Sequence, residues 1–120
     1  MESIHYNKGT LFKGKEVLRW FSDDIEKILV FDPYLFVLLG TEGNKVENRN
    51  LFCLTLDGEL VWQCEDLLAG VPADSITPRY AHYVDIWMDG DELWGYNYYG
   101  GHNNRLDLYT GKILESHYVK

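Results

Sequence analysis

Apolar residues in this chain gather into short runs punctuated by glycine, proline and aspartate. Ile25 to Phe31 and Tyr34 to Leu39 flank Asp32-Pro33, while Ala81 to Met88 and Glu92 to Tyr96 flank Asp89-Gly90-Asp91. Runs of this length, rich in aromatic and β-branched side chains and bounded by turn formers, predict strands rather than helices. Leu51 to Cys64 adds a strand pair around Asp57-Gly58, and Asn104 to Ser116 adds another around Thr110-Gly111.

These pairs repeat. Leu51–Trp62 can be laid over Asn104–Glu115 with Gly58 on Gly111, a displacement of 53 residues. Further upstream Leu35 falls on Leu93, a displacement of 58, so the second copy has five fewer residues between its second and third strands. The difference belongs to the polar segment Gly40 to Asn50, where a loop tolerates changes of length. Each copy reads strand, turn, strand, loop, strand, glycine turn, strand. Thr10–Trp20, centred on Gly14, is similar to one more hairpin, half a unit. The expected fold is all-β, with two to two-and-a-half four-stranded antiparallel blade-like sheets forming a partial propeller, and with minor helical turns. The expected single domain, 1–120, divides into an N-terminal partial hairpin (1–22), a first blade (23–66), a connection (67–79) and a second blade (80–120).

Helix has two footholds. Asp23 followed by Glu26 fits a helix cap, and Ile25, Ile28 and Leu29 have helical spacing, so Asp24 to Leu29 can be read either way, with strand preferred. Glu65 to Gly70 can form one helical turn ended by Gly70, ahead of Pro72 and Pro78.

Alternation ranks the two copies. With a tight turn at Asp57-Gly58, one face of the first hairpin presents Phe52, Leu54, Leu56 and Val61, and the other Leu51, Cys53, Leu60, Trp62 and Cys64. A strand pair apolar on both faces belongs between two layers. In the second copy Leu106, Leu108 and Ile113 share one face, whereas Arg105, Asp107, Tyr109, Lys112 and Ser116 line the other beside Leu114. The first blade is therefore expected inside a short stack and the second at its end, with one face in solvent.

Composition agrees with one folded domain. The 120 residues are 46% hydrophobic, with nine Tyr, four Trp and five Phe against three Pro, enough for a core and too aromatic for a disordered chain. The longest apolar run, Ile28 to Leu39, is interrupted by Asp32 and Pro33 and is too short to cross a bilayer, so no membrane association is expected. Met1 to Phe21 carries Lys8, Lys13, Lys15 and Arg19 and has no continuous apolar stretch of the signal-peptide kind, which makes the cytoplasm the expected location. The same register places Cys53 opposite Trp62 and Cys64 opposite Leu51, so the two thiols are diagonal neighbours, too far apart for a disulfide and expected to be reduced and buried.

A net charge of −8, from 19 acidic and 11 basic residues, disfavours direct nucleic-acid binding, where affinity comes from neutralising phosphates. A basic protein partner suits it.

Leu106-Asp107-Leu108-Tyr109-Thr110-Gly111-Lys112-Ile113-Leu114 resembles the blade signature of PQQ-type propeller repeats, aliphatic-Asp-x-x-Thr-Gly-x-x-aliphatic-Trp. The second copy has Glu115 in the Trp position, whereas the first has Trp62 there but Thr55 and Asp57 in place of the Asp and the Thr. The resemblance covers most of the chain after Asp24. It implies blade-like sheets, fewer than a closed propeller has, and it does not imply quinone binding or any other cofactor.

Chemistry-bearing constellations are sparse. His5, His82, His102 and His117 lack metal-ligand spacing, Asp89-Gly90-Asp91-Glu92 sits where a β-turn is needed, and alternation sends His82 and Asp85 to opposite faces. No catalytic or metal-ligating residue is assigned. Tyr96-Asn97-Tyr98-Tyr99-Gly100-Gly101-His102-Asn103-Asn104-Arg105 has instead the composition of a recognition segment, rigid amphipathic rings among adaptable amides. The candidate partner-binding residues are Tyr96, Tyr98, Tyr99, His102 and Asn103, with Asp89, Asp91, Glu92, Glu42 and Glu47 as acidic complements to a basic partner.

In size, acidity and stand-alone character the chain is similar to immunity proteins of contact-dependent growth inhibition and related toxin systems. That resemblance implies a cytoplasmic, non-catalytic inhibitor, a monomer or homodimer, whose partner is a basic toxin, plausibly a nuclease. Two other classes stay open: a carbohydrate-binding module stacking sugars on Trp94, Tyr96 and Tyr98, and a small enzyme.

Overall fold

The computed structural model describes residues 3–40, 48–66, 81–97 and 101–119, which form eleven strands in three antiparallel sheets. β1 (Ile4–Asn7), β2 (Thr10–Lys13) and β3 (Glu16–Trp20) make the first sheet. The second contains β4 (Ile25–Phe31), β5 (Tyr34–Leu39), β6 (Leu51–Thr55) and β7 (Leu60–Gln63). The third contains β8 (Tyr83–Asp89), β9 (Glu92–Asn97), β10 (His102–Leu106) and β11 (Ile113–Tyr118). Every sheet is a meander, because each strand pairs with the next along the chain, and the expected all-β blade-like architecture is what the chain adopts.

The stretch open to either reading is strand. In β4, Leu29 and Phe31 pack into the core between the second and third sheets, while Ile25 and Ile28 pack into the core between the first and second. Side chains alternating between two cores need a period of two; a helix would offer one apolar stripe to one core. The N-terminal segment goes beyond the expected hairpin, since β1 pairs with β2 and makes a three-stranded sheet. Of the expected helical turn at Glu65 to Gly70, the part from 67 onward lies outside the described residues.

The repeat extends to irregularities that the sequence pattern does not show. In β4 the pairing passes from Ile25↔Leu39 to Lys27↔Leu38 and leaves Glu26 as a bulge. Fifty-eight residues later it passes from Tyr83↔Asn97 to Asp85↔Tyr96 and leaves Val84. The last hairpin of each sheet also carries a bulge, at Leu18, Val61 and Leu114. Such bulges increase local twist.

The bulge at Val61 corrects the expected register. Cys53 does face Trp62, but Leu54 faces Leu60 rather than Val61. The turn is wider than a two-residue hairpin: the Gly58 N–H donates to Thr55 O, the Thr55 N–H donates to Glu59 O, and Thr55 Oγ1 accepts from the N–H groups of Asp57 and Glu59. The three-residue loop ends in Gly58 at positive φ, the geometry that generates a bulge beside a hairpin. In the third sheet the Asp107 N–H donates to Lys112 O and Asp107 Oδ1 accepts from the Tyr109 N–H, so that loop is one residue longer. Because of the Leu114 bulge, Ser116 pairs with Asn104 and lies on the opposite face from Arg105, contrary to the expected alternation.

The second sheet is the middle layer, as its two apolar faces require. Phe36, Leu38, Leu51, Cys53, Trp62 and Cys64 meet Tyr83, Ile86, Leu93 and Leu106 of the third sheet. Leu35, Val37, Leu39 and Leu54 on its other face meet Leu11 of the first. Cys53 and Cys64 are both buried and unbridged.

Two polar devices tie the layers together. On their last strands the first and second sheets each send a side chain to the glycine hairpin of the next. Arg19 Nη1 donates to Gly58 O at 3.2 Å, and at the equivalent position Trp62 Nε1 donates to Leu108 O at 2.8 Å. The Trp62 ring lies so close over Gly111 that a Cβ there would be 2.7 Å from Cδ2 and from Cζ3. The second device is buried amide chemistry. Asn50 Nδ2 donates to Leu39 O and Tyr83 O, and Asn50 Oδ1 accepts from the Tyr83 N–H. Asn48 Oδ1 takes the Ala81 N–H, and Asn97 Nδ2 donates to Ala81 O. These asparagines satisfy the backbone that leads into β8, whose groups would otherwise be buried unpaired.

Candidate functional site: the outer face of the third sheet

Alternation along β8 to β11 sends Leu93, Leu106 and Ile86 inward and the residues between them outward. One outward row runs across the sheet as Trp87, Trp94, Arg105 and Glu115, paired strand to strand. The row beneath it begins Asp89 and Glu92, and the row above holds Tyr96, Asn103 and His117.

The repeat explains what this face is. Trp87, Trp94 and Tyr96 stand 58 residues after Leu29, Phe36 and Leu38, all three in the core between the second and third sheets or buried beside it. Their neighbours have changed character: Phe31 is answered by Asp89, Tyr34 by Glu92, Cys53 by Arg105 and Trp62 by Glu115. A surface that in the middle sheet receives another layer has kept an apolar centre, now aromatic at all three positions, and acquired a charged border. Half-buried rings within a polar rim are the anatomy of protein contact surfaces.

The border is an ordered network. Arg105 Nε is bonded to Glu115 Oε1 and lies 3.5 Å from Glu92 Oε2, while His117 Nε2 is 2.8 Å from Glu115 Oε2. The His117 ring rests on Trp94, with centroids 5.8 Å apart. The Arg105 hydrogen bond, followed by that of His117, holds the Glu115 carboxyl below its ordinary pKa. Beneath Trp94 the indole N–H is shut off from solvent and meets no acceptor among the described residues, a rare condition for a buried donor. A shallow hollow lined by Asp91, Glu92, Arg105, Tyr109 and Leu114 adjoins the face.

Of the residues singled out by sequence, Asp89, Glu92, Tyr96 and Asn103 come together here, and Asp91 follows in the exposed β8–β9 turn. His102 starts β10 but faces the other way, opposite Asn97, with its ring against Tyr118 at 5.6 Å. Tyr98, Tyr99, Glu42 and Glu47 lie outside the described residues. Sequence reasoning missed Trp87, Arg105, Glu115 and His117 as members of the site and had Trp94 only as a sugar-stacking platform. The 58-residue displacement with strand parity finds Trp87 and Trp94, whereas Arg105, Glu115 and His117 follow only from the register of β10 and β11. Among the described residues no group of three His, Cys, Asp or Glu side chains is placed to hold a metal ion, and no helix is long and apolar enough to cross a membrane.

Stacked antiparallel meanders, with two sheets of four strands and one of three, define the chain as an all-β protein of blade-like layers not closed into a barrel. It belongs to the family described as a domain of unknown function, DUF7957, which it matches over residues 1–118. Among solved structures it is similar to the computationally designed Ika8 protein, with 9% identity and a TM-score of 0.58, over 95% of this chain and 35% of that one. The chain thus spans about a third of that protein's length, and the likeness concerns the fold. No curated protein matches the chain.

Proposed function

We propose that this protein is a non-catalytic recognition module that holds a basic protein against the outer face of its third sheet. In its most concrete form it is an immunity protein that blocks a bacterial toxin with a cationic cleft. The observation that carries this reading is the conversion of a layer-receiving face into an aromatic centre, Trp87, Trp94 and Tyr96, bordered by Asp89, Asp91, Glu92 and Glu115. The rings supply desolvated contact area, and the carboxylates steer a cationic surface and fix its orientation. An acidic inhibitor of this kind competes with the phosphate backbone for the cleft of a nuclease toxin.

The test is titration calorimetry against the product of a neighbouring toxin gene at low and moderate salt. Trp94→Ala should weaken binding by about 2 kcal/mol, roughly thirtyfold, and added salt should weaken it further. Tight binding that neither the substitution nor salt alters would refute the reading. Retention of a glycan by the same face would favour the carbohydrate module instead.

A further inference from the structure

The stack has a second open face, and the repeat relates it to the first. In the first sheet Tyr6, Leu11, Lys13 and Arg19 point towards the second sheet: Tyr6 Oη donates to Glu26 O, Leu11 lies in the core, Lys13 pairs with Asp57 and Arg19 reaches Gly58. The opposite side shows His5 stacked on Phe12 at 5.2 Å, Val17 beside them 40% exposed, and Trp20 73% exposed. By register Phe12 corresponds to Leu54 and Leu106, and Val17 to Leu60 and Ile113. Leu54 and Leu106 each pack against the preceding sheet. Among the described residues the outer side of the first sheet is therefore a preceding-layer face that no sheet covers, just as the outer side of the third sheet is a following-layer face that no sheet covers.

We infer that in the free protein these two faces join head to tail, the first sheet of one copy stacking on the third sheet of another. This rests on the outer face of the third sheet being a docking surface, and it names that surface's occupant when no other partner is bound. The interlayer clasp points the same way. Glu115 holds the position from which Arg19 and Trp62 reach the glycine hairpin of the next sheet. The hairpin that a following first sheet would bring there is the one at Gly14, which carries the exposed Lys15.

Charge is complementary on the larger scale as well. On the outer side and in the turns of the first sheet Lys8 and Lys15 stand against Glu16, whereas the outer side of the third sheet and its turns hold Asp89, Asp91, Glu92, Asp107 and Glu115 against Arg105 and Lys112. A head-to-tail contact joins two different surfaces, so it generates rings or filaments rather than a closed dimer.

The test is mass measurement by light scattering across a concentration series at low salt, on the wild type, Trp20→Glu and Glu115→Lys. The wild type should exceed the monomer mass, and each variant should need at least tenfold more protein to associate. Each variant spoils a different face, so an equimolar mixture should form dimers and nothing larger, because one intact pair of faces remains. Lys15→Glu combined with Glu115→Lys in one chain should restore association. Urea unfolding of each variant checks that the fold survives. A wild type that stays monomeric throughout, or a mixture that stays monomeric while the wild type associates, overturns the inference. If the wild type is monomeric yet Trp94→Ala still weakens a basic partner, the recognition reading stands without self-association. If the chain self-associates through these faces and no basic partner binds, self-association stands and the recognition reading falls.

Discussion

Gly111→Ala isolates the contact that locks the third sheet to the second. Two costs arise at this position. The backbone φ of +75° lies in the left-handed region, where a residue with a Cβ loses about 1 to 2 kcal/mol. The new methyl would also sit 2.7 Å from two Trp62 ring carbons and closer still to Cε3. That is inside any real carbon–carbon contact, so the ring must move. Moving it sacrifices the bond from Trp62 Nε1 to Leu108 O, about 1 kcal/mol, and part of the burial of a side chain whose complete removal costs about 3 to 5 kcal/mol. The expected total is about 3 to 5 kcal/mol, a large share of a stability of roughly 5 to 15 kcal/mol. Gly90→Ala is the control. Its φ of +62° imposes the same backbone cost, but a Cβ there meets nothing within 4 Å, so about 1 kcal/mol is expected. Urea unfolding followed by Trp fluorescence and circular dichroism measures both, with equal m-values as the condition for comparison. Truncating Trp62 to Leu in the Gly111→Ala background should be much less than additive, since the clash is then already relieved. If Gly90→Ala and Gly111→Ala cost the same, the close approach of the sheets is not what makes glycine necessary at 111.

Asn50→Ala removes three hydrogen bonds and leaves the Tyr83 N–H and C=O without their side-chain partner; about 3 kcal/mol of destabilisation is expected, and a loss below about 1 kcal/mol in urea unfolding would mean that water replaces the amide. Burial pushes the Cys53 thiol up to about 12, so Ellman's reagent at pH 8 should react with Cys53 only as fast as the chain unfolds, and rapid labelling of the folded protein would contradict the described core. The Glu115 carboxyl has a folded pKa below its unfolded value, so its contribution is present above the ordinary glutamate range and is lost as pH falls through the depressed value. Glu115→Gln should therefore flatten the acid limb of stability against pH and leave neutral to alkaline pH dependence unaltered, as followed by urea midpoints in a buffer series.

Much of this architecture was legible because strand alternation and turn residues act locally. Gly58 and Gly111 mark hairpins whatever surrounds them, and the doubly apolar Leu51 to Cys64 can satisfy both faces only between two layers. The middle position of the second sheet and the wet side of the third follow from that pattern. The bulges do not. Whether Leu54 faces Val61 or Leu60 depends on how Thr55 and Gly58 close one loop, and a single residue of register reverses every side chain beyond it. That is why simple alternation puts Ser116 beside Arg105 while in the structure it lies behind it, paired with Asn104.

The candidate site divides along the same line. Tyr96, Asn103, Asp89 and Glu92 stood out by composition, because aromatic, amide and acidic residues near turns are visible in a linear string. Their convergence with Trp87, Trp94, Arg105 and His117 depends on four strands aligning in register, whereas the separation of His102 from Asn103 follows from alternation once both lie in β10. Likewise, Asn48 and Asn50 read as loop residues, yet they satisfy the buried backbone that leads into β8. By itself the sequence determined the strands, the repeat and the order of the layers, since those depend on near neighbours and on which faces avoid water. Only the tertiary structure decided which side chains share a face and which glycine supports a ring, because those depend on pairings between residues far apart in the chain.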